Sequence, residues 1–243
     1  LDFELNPIVA KTLSLSERVI KYYKSVIVVS ESTKKALINL GVCKNRVHVI
    51  TNGVDTDFYK PMAKSPSPTI LWVGRVKRYK RVEHVLLACS IIEKQLPEAK
   101  LIIVGNGDYI ENIKSLATKL CLKNVFFPGF VEEKQKALLM ASSWVIVSSS
   151  FVEGWGMSIT ESAACGTPAV AYDVAGLRDS ISNNETGLLV SDGNVKALAQ
   201  NLLRVLQDEQ LRVKLGNNAL NRTKQFSWNK VAQEFSDFLE LSQ

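Results

Sequence analysis

The sequence predicts an α/β architecture: a doubly wound, mostly parallel, Rossmann-like sheet with extra helices at its C-terminal end. Three observations predict it. Short apolar, β-branched runs alternate with amphipathic stretches along most of the chain. Several runs are near-continuously apolar, as parallel strands covered on both faces require. After Val190 the strand pattern stops and only helical spacing continues.

The strand runs are 25–30 (SVIVVS), 47–50, 69–74 (TILWVG), 100–105 (KLIIVG), 124–128, 144–149 (WVIVSS), 168–172 and 186–190. Amphipathic stretches at 82–96, 108–120, 132–142 and 157–165 lie between them. Residues 194–208 and 209–225 are helical, and Phe226-Ser227-Trp228 introduces a last helix over 228–241. The stretch 61–68, PMAKSPSP, is rich in Pro and Ser and reads as a linker. Two strands and about one helix precede it, too little for an independent domain. Residues 1–60 therefore read as the tail of a preceding domain, 69–225 as a complete α/β domain, and 226–243 as a C-terminal helical segment. The chain starts on Leu1 rather than Met, which reads as a piece of a longer chain.

The totals exclude several classes of protein. Hydrophobic residues make up 46% of the 243 residues, enough for a sizeable core. No apolar run reaches the eighteen or so residues that span a bilayer, and no secretory leader is evident. Cys43, Cys89, Cys121 and Cys165 show no C-x-x-C spacing, which argues against a zinc site. Scattered thiols fit a cytoplasmic protein, with Cys89 and Cys165 in the core. The net charge of +6 suits anionic partners, but no nucleic-acid motif accompanies it, so nucleic acid is a distant reading.

Parallel sheets bind ligands at the carboxyl ends of their strands. Arg75 directly follows TILWVG, and Lys80 lies five positions on. Two cations in one strand-to-helix loop can clamp adjacent phosphates, although the same residues also suit a solvated surface loop. At the next strand end, Gly105-Asn106-Gly107-Asp108 lacks the third glycine of the dinucleotide fingerprint. It is expected to be a turn with Asp108 capping the helix, its glycines also leaving space for a ligand. Pro128-Gly129-Phe130-Val131 ends another strand. Its backbone could meet a flat base, but the residues favour a turn with Phe130 packed inward.

The stretch FVEGWGMSITESAACGTPAV, 151–170, follows the strand WVIVSS. Gly154 and Gly156 permit close backbone approach to a ligand. A helix beginning near Met157 presents unsatisfied N–H groups and a positive dipole end, which suit a diphosphate. Glu161, one turn inside, can accept two hydrogen bonds from a vicinal diol such as a ribose. Glu153 can take sugar hydroxyls. Helix electrostatics alone would account for Glu161 but not for the double glycine. Asp55-Thr56-Asp57 has the D-x-D form of a metal-bound nucleotide-sugar site, but its NGVDTDFY context favours turn and cap roles.

Residues 25–58 and 69–228 resemble the retaining glycosyltransferases of the GT-B fold, family 4. The resemblance rests on VSESTKKAL…VHVITNGVDTDFYKP, LWVGRVKRYKRVEHVLLA, LIIVGNGDY, VFFPGFV, SSFVEGWGMSITESAACGTPAVAYDVAGLRDSI, TGLLV and FSWNKVAQEF. The E-x7-E motif with its central G-x-G is highly specific, as is the order of segments. The resemblance implies that Arg75 and Lys80 hold the donor diphosphate and stabilise it as leaving group. It implies that Glu161 binds the nucleotide ribose and that the backbone near Val131 touches the base. Glu153 and the amides of Gly154, Trp155, Gly156, Met157 and Ser158 would hold the donor sugar and phosphate.

Two positions depart from the family pattern. Arg81 stands where glycine is usual, and Trp155 where Phe is common. The implied donor is a UDP- or GDP-sugar. The implied acceptor is a glycan or lipid-linked molecule, bound through the N-terminal domain, with no metal or other cofactor. This piece alone is expected to bind donor but transfer little sugar. The charge is compatible with peripheral association at the inner membrane surface. A nucleotide-sugar epimerase on the same fold and a non-catalytic nucleotide-sugar binding module are the alternatives.

Overall fold

A computed structural model describes residues 20–241. The first nineteen residues of the expected N-terminal remnant lie outside the described residues. The remainder of that remnant forms a strand–helix–strand unit. Strand β1 (Val26–Val28) pairs in parallel with β2 (Val47–Val49), and α1 (Glu31–Asn39) connects them. Ser30 caps α1 by accepting from the Thr33 N–H at 3.1 Å, as a serine before a helical run should.

The main sheet has six strands: β3 (Thr69–Val73), β4 (Lys100–Val104), β5 (Val125–Gly129), β6 (Val145–Ser148), β7 (Ala169–Tyr172) and β8 (Gly187–Val190). They pair in the order β5-β4-β3-β6-β7-β8, and every pair is parallel. The sheet is wound outward in both directions from the β3–β6 pair. The carboxyl ends of β3 and β6 therefore flank the switch point where such sheets bind ligands. Strands β6 and β7 are buried throughout, because helices cover both faces. Edge strand β5 alternates instead, exposing Phe126 and Pro128, and an edge is where a proline in a strand costs no ladder bond.

Helices α2 (Val82–Ile92), α3 (Ile110–Lys119), α4 (Glu133–Ser142), α5 (Met157–Ala164) and the short α6 (Leu177–Ser180) follow successive strands. After β8 come α7 (Val195–Gln207) and α8 (Glu209–Thr223). Arg212 of α8 lies over the Trp144 ring at 3.9 Å and donates to the Val205 and Leu206 carbonyls at the end of α7. A Cβ at Gly216 would lie 2.4 Å from the Gly166 carbonyl, so glycine lets α8 approach the turn after α5.

The Pro/Ser-rich stretch is pinned to the main sheet's helices. Trp144 Nε1 donates to the Ser65 carbonyl at 2.7 Å, and Lys64 Nζ donates to the Ala141 carbonyl at 2.9 Å. The last helix, α9 (Trp228–Leu241), runs back to the N-terminal unit. The Phe238 and His48 rings lie 4.7 Å apart, and the Trp228 indole occupies the space that a Cβ at Gly53 would need. Among the described residues no helix is long and apolar enough to cross a membrane.

Candidate active site

The loop after β3 is built on backbone contacts. Val76 is fully buried, its N–H donates to the Asn106 carbonyl at 2.9 Å, and its carbonyl accepts from Tyr109. A Cβ on Gly105 would lie 1.9 Å from the Gly74 carbonyl, and one on Gly107 would lie 2.2 Å from that of Val76. These glycines make room for the chain's own backbone, not for a ligand as expected. Asp108 does not cap α3 either. Tyr109 holds the cap position without a side-chain bond, and Asp108 pairs with Lys77 at 2.6 Å across the two loops. The Lys77 hydrogen bond lowers the Asp108 pKa. The Lys77 ammonium is a charged donor, from which a carboxylate accepts a stronger hydrogen bond than from a neutral backbone N–H.

Lys80 ends a 3-10 turn, and Arg81 follows in the left-handed conformation, φ 48° and ψ 46°. This is the conformation that a glycine adopts freely and an arginine resists. The surroundings hold it. The Ser149 hydroxyl faces the Lys80 and Arg81 carbonyls at 2.9 and 2.8 Å, and the Phe151 N–H donates to the Tyr79 carbonyl. The Arg81 guanidinium pairs with Asp192 at 2.7 Å and covers the Phe151 ring.

These contacts draw the loop after β3 onto the loop after β6. Lys80 Nζ and Glu153 Oε1 form an ion pair, and the Ser150 hydroxyl donates to the same oxygen at 2.7 Å. Both side chains are largely buried, at 16% and 17% exposure, so the pair is desolvated and specific. Gly176 supports it from the loop after β7. A Cβ there would lie 2.2 Å from the Glu153 carbonyl, and Gly176 has φ +78°. Arg75 is exposed on the same loop as Lys80, with no side-chain partner among the described residues.

Helix α5 begins at Met157 after Gly156, whose φ of 89° turns the chain into the helix. Among the described residues, the N–H groups of Gly154, Trp155, Gly156, Met157 and Ser158 donate to no protein acceptor. Five adjacent donors at a helix's positive end form an anion-binding arrangement. The Trp155 side chain is buried at 4% exposure, edge-on to Phe226 with ring centroids 5.1 Å apart. What Trp155 offers a ligand is its backbone.

One turn on, the Glu161 side chain is 13% exposed. Lys136 of α4 lies 3.1 Å from Glu161 Oε2 and 2.8 Å from Glu133 Oε1. The Tyr59 hydroxyl donates to the same Glu133 oxygen. Burial raises the Glu161 pKa, and Lys136 pulls against that shift. Burial opposes the Lys136 charge, but its hydrogen bond to Glu133 and the Glu161 charge override this and raise its pKa. Glu161 opens onto a cleft of about 360 Å³ bordered by Val54, Tyr59, Met157 and Trp228. Lys136, Glu133 and Tyr59 carry no sequence signal, since a lone lysine in an amphipathic helix looks like any solvated residue.

Two further expectations resolve differently. Phe130 does not pack inward; it is 81% exposed. The chain leaves edge strand β5 with Gly129 at φ 75°, and the next side chain, Val131, packs against the buried cluster containing Trp155. Asp55 does form a turn, its Oδ1 accepting from the N–H groups of Asp57 and Phe58. Cys89 and Cys165 are buried, and burial pushes both thiols up to about 12, which leaves them inert.

A parallel six-stranded sheet flanked by helices, with its loops gathered at the switch point, matches the GT-B class of glycosyltransferase structures. The chain belongs to the family described as Glycosyl transferases group 1, which matches residues 54–222. Residues 1–58 match the family described as Glycosyltransferase Family 4. An uncharacterized glycosyltransferase of Methanocaldococcus jannaschii is 30% identical over 227 residues, covering 86% of this chain and 58% of its own length. Sucrose-phosphate synthase from Thermosynechococcus elongatus superposes with a TM-score of 0.86 at 27% identity, covering 96% of this chain and 61% of that one. HepE of Anabaena, in complex with UDP-glucose, superposes with the same TM-score at 23% identity, covering 99% of this chain and 71% of that one. The chain spans about 60% or less of the length of the curated relatives it matches. Neither the epimerase nor the binding-module alternative is favoured by these similarities.

Proposed function

We propose that this chain is the donor-binding portion of a retaining glycosyltransferase. It would take a sugar from a UDP- or GDP-sugar and pass it to a glycan or lipid-linked acceptor. One observation carries the reading: five amide donors, 154–158, unpartnered among the described residues, lie between two largely buried carboxylates, Glu153 and Glu161, at the switch point. The solved HepE complex with UDP-glucose, on the same fold, supports a nucleotide-sugar as the ligand.

In this reading the diphosphate lies on the N-terminus of α5 and draws Lys80 toward it, with Arg75 closing from the exposed side. Those cations stabilise the charge that develops as the nucleoside diphosphate departs, which is the largest contribution a site of this kind makes. Glu153 then accepts from sugar hydroxyls, and Glu161 accepts from the ribose. Backbone next to Val131 meets the base. The cations and amides meet the phosphate charge without a metal. Positioning of the acceptor supplies the rest.

Incubating the full-length enzyme, in which an acceptor domain joins this chain, with candidate UDP- and GDP-sugars and a panel of glycan and lipid-linked acceptors tests this; this chain alone is expected to bind donor but transfer little sugar. A glycoside product with the donor's anomeric configuration is the expected result. An inverted product, or an epimerised nucleotide-sugar without transfer, contradicts it.

A further inference from the structure

Glu161 shares its surroundings with groups from two other parts of the chain. Lys136 and Glu133 come from α4, and Tyr59 comes from the segment joining β2 to β3. The Lys136 side chain is 18% exposed and lies 5.4 Å from the centre of the Tyr59 ring, so an aromatic face and two carboxylates confine it. Burial and the Glu133 hydrogen bond raise the Tyr59 pKa, so the phenol stays a neutral donor. The cluster then contains two carboxylates and one ammonium. Without that ammonium the largely buried Glu161 would face the more exposed Glu133 carboxylate with no counter-charge between them, and Glu161 would take up a proton more readily.

We propose that Lys136, backed by Glu133 and Tyr59, is a positioning residue that holds the Glu161 carboxylate ionised and aimed to accept both hydroxyls of a ribose 2′,3′-diol. This rests on the assignment of Glu161 to the ribose made above. A protonated or swung-out Glu161 offers fewer acceptor sites to a diol, so the consequence is selective. Loss of Lys136 weakens the grip on the ribose and leaves the grip on the phosphates intact. A plain structural tie between α4 and α5 predicts no such selectivity.

The test is calorimetric titration of the purified protein with UDP, GDP and ADP and with the 2′,3′-dideoxy form of whichever binds tightest. The wild-type protein is expected to prefer the ribose form by roughly tenfold, the value of one charge-assisted hydrogen bond. Glu161→Gln removes that preference. Lys136→Met removes most of it without changing affinity for the dideoxy form, and Lys136→Arg restores part of it. Tyr59→Phe deletes only a hydroxyl and gives a smaller loss in the same direction, which keeps the test available should Lys136→Met fail to fold. If Glu161→Gln removes the preference and Lys136→Met and Tyr59→Phe do not, the ribose assignment stands and the positioning role is overturned. Equal weakening of both nucleotide forms by Lys136→Met overturns it too, in favour of a structural tie. An unchanged preference in Glu161→Gln overturns the ribose assignment itself, and the positioning role with it.

Discussion

Lys80 and Glu153 form an ion pair that ties the loop after β3 to the loop after β6, where the strand order of the sheet reverses. The pair joins two residues that a donor would use for different purposes, the cation for phosphate and the carboxylate for sugar. In the free protein each satisfies the other. In the proposed function, a diphosphate that recruits Lys80 would release Glu153 to accept hydrogen bonds from the sugar.

That arrangement has a stability signature. Lys80→Met leaves the Glu153 carboxylate largely buried with Ser150 as its remaining partner, and is expected to destabilise the protein by about 1–3 kcal/mol. Adding Glu153→Gln removes the stranded charge and should recover part of that loss. Urea unfolding of both single variants and the double variant measures the coupling. Strict additivity would contradict the pairing.

Arg81 occupies a glycine conformation, and its side chain compensates. Arg81→Gly relieves roughly 1 kcal/mol of backbone strain but loses the Asp192 pair and the Phe151 contact. Arg81→Ala loses the same contacts and keeps the strain. The glycine variant should therefore be the more stable of the two, by about 1 kcal/mol in thermal or denaturant unfolding. The reverse order would mean that the left-handed turn is not what this position requires.

Trp155→Phe discriminates packing from ligand contact. The indole lies in the core, and its Nε1 is buried with no hydrogen-bond partner among the described residues. Phenylalanine loses volume but also removes an unsatisfied donor, so stability should change by about 1 kcal/mol or less. Nucleotide affinity should stay as it is. A large drop in affinity on titration would assign the side chain to the ligand.

Burial raises the Glu161 pKa above the ordinary glutamate value, and the sign of two effects follows. The folded free protein binds this proton more tightly than the unfolded chain does. The stability contribution of Glu161 is therefore fully present below the unfolded pKa and is lost as pH rises through the folded one. Ribonucleoside diphosphate binding runs the other way, because a diol needs the carboxylate as acceptor. Affinity should fall as pH drops through the Glu161 titration, starting above the normal glutamate range. Glu161→Gln should lack that component, and comparing the two proteins from pH 8 to 5 separates it from titration of the nucleotide.

The sheet was legible because parallel strands buried on both faces write themselves as short apolar runs, and all eight runs became strands. The placement of Arg75, Lys80 and the 153–161 stretch beyond strand ends was legible because strand ends and a glycine-flanked helix start are local features. What escaped was pairing across the chain. Lys77 meets Asp108 from 31 positions away, and Tyr59 meets Glu133 from 74. Local pattern therefore made Asp108 a helix cap and left Lys136 unnoticed. Phe130 read as a core residue because its hydrophobicity is local information, whereas its place just past an edge strand is not. Gly105 and Gly107 read as leaving space for a ligand, but the backbone of the neighbouring loop fills that space.

In the proposed function, the loops at the ends of β3 and β6 bind a nucleoside diphosphate through Arg75, Lys80 and the start of α5. Calorimetric titration with UDP, GDP and ADP, on the wild-type protein and on Arg75→Ala/Lys80→Ala, tests it most directly. Each lost charge-assisted phosphate contact should cost roughly 1.5–3 kcal/mol. One of the three nucleotides is expected to bind selectively, and the double variant to bind it at least tenfold more weakly. Binding that the double variant leaves unchanged, or no binding by the folded wild-type protein, would contradict it.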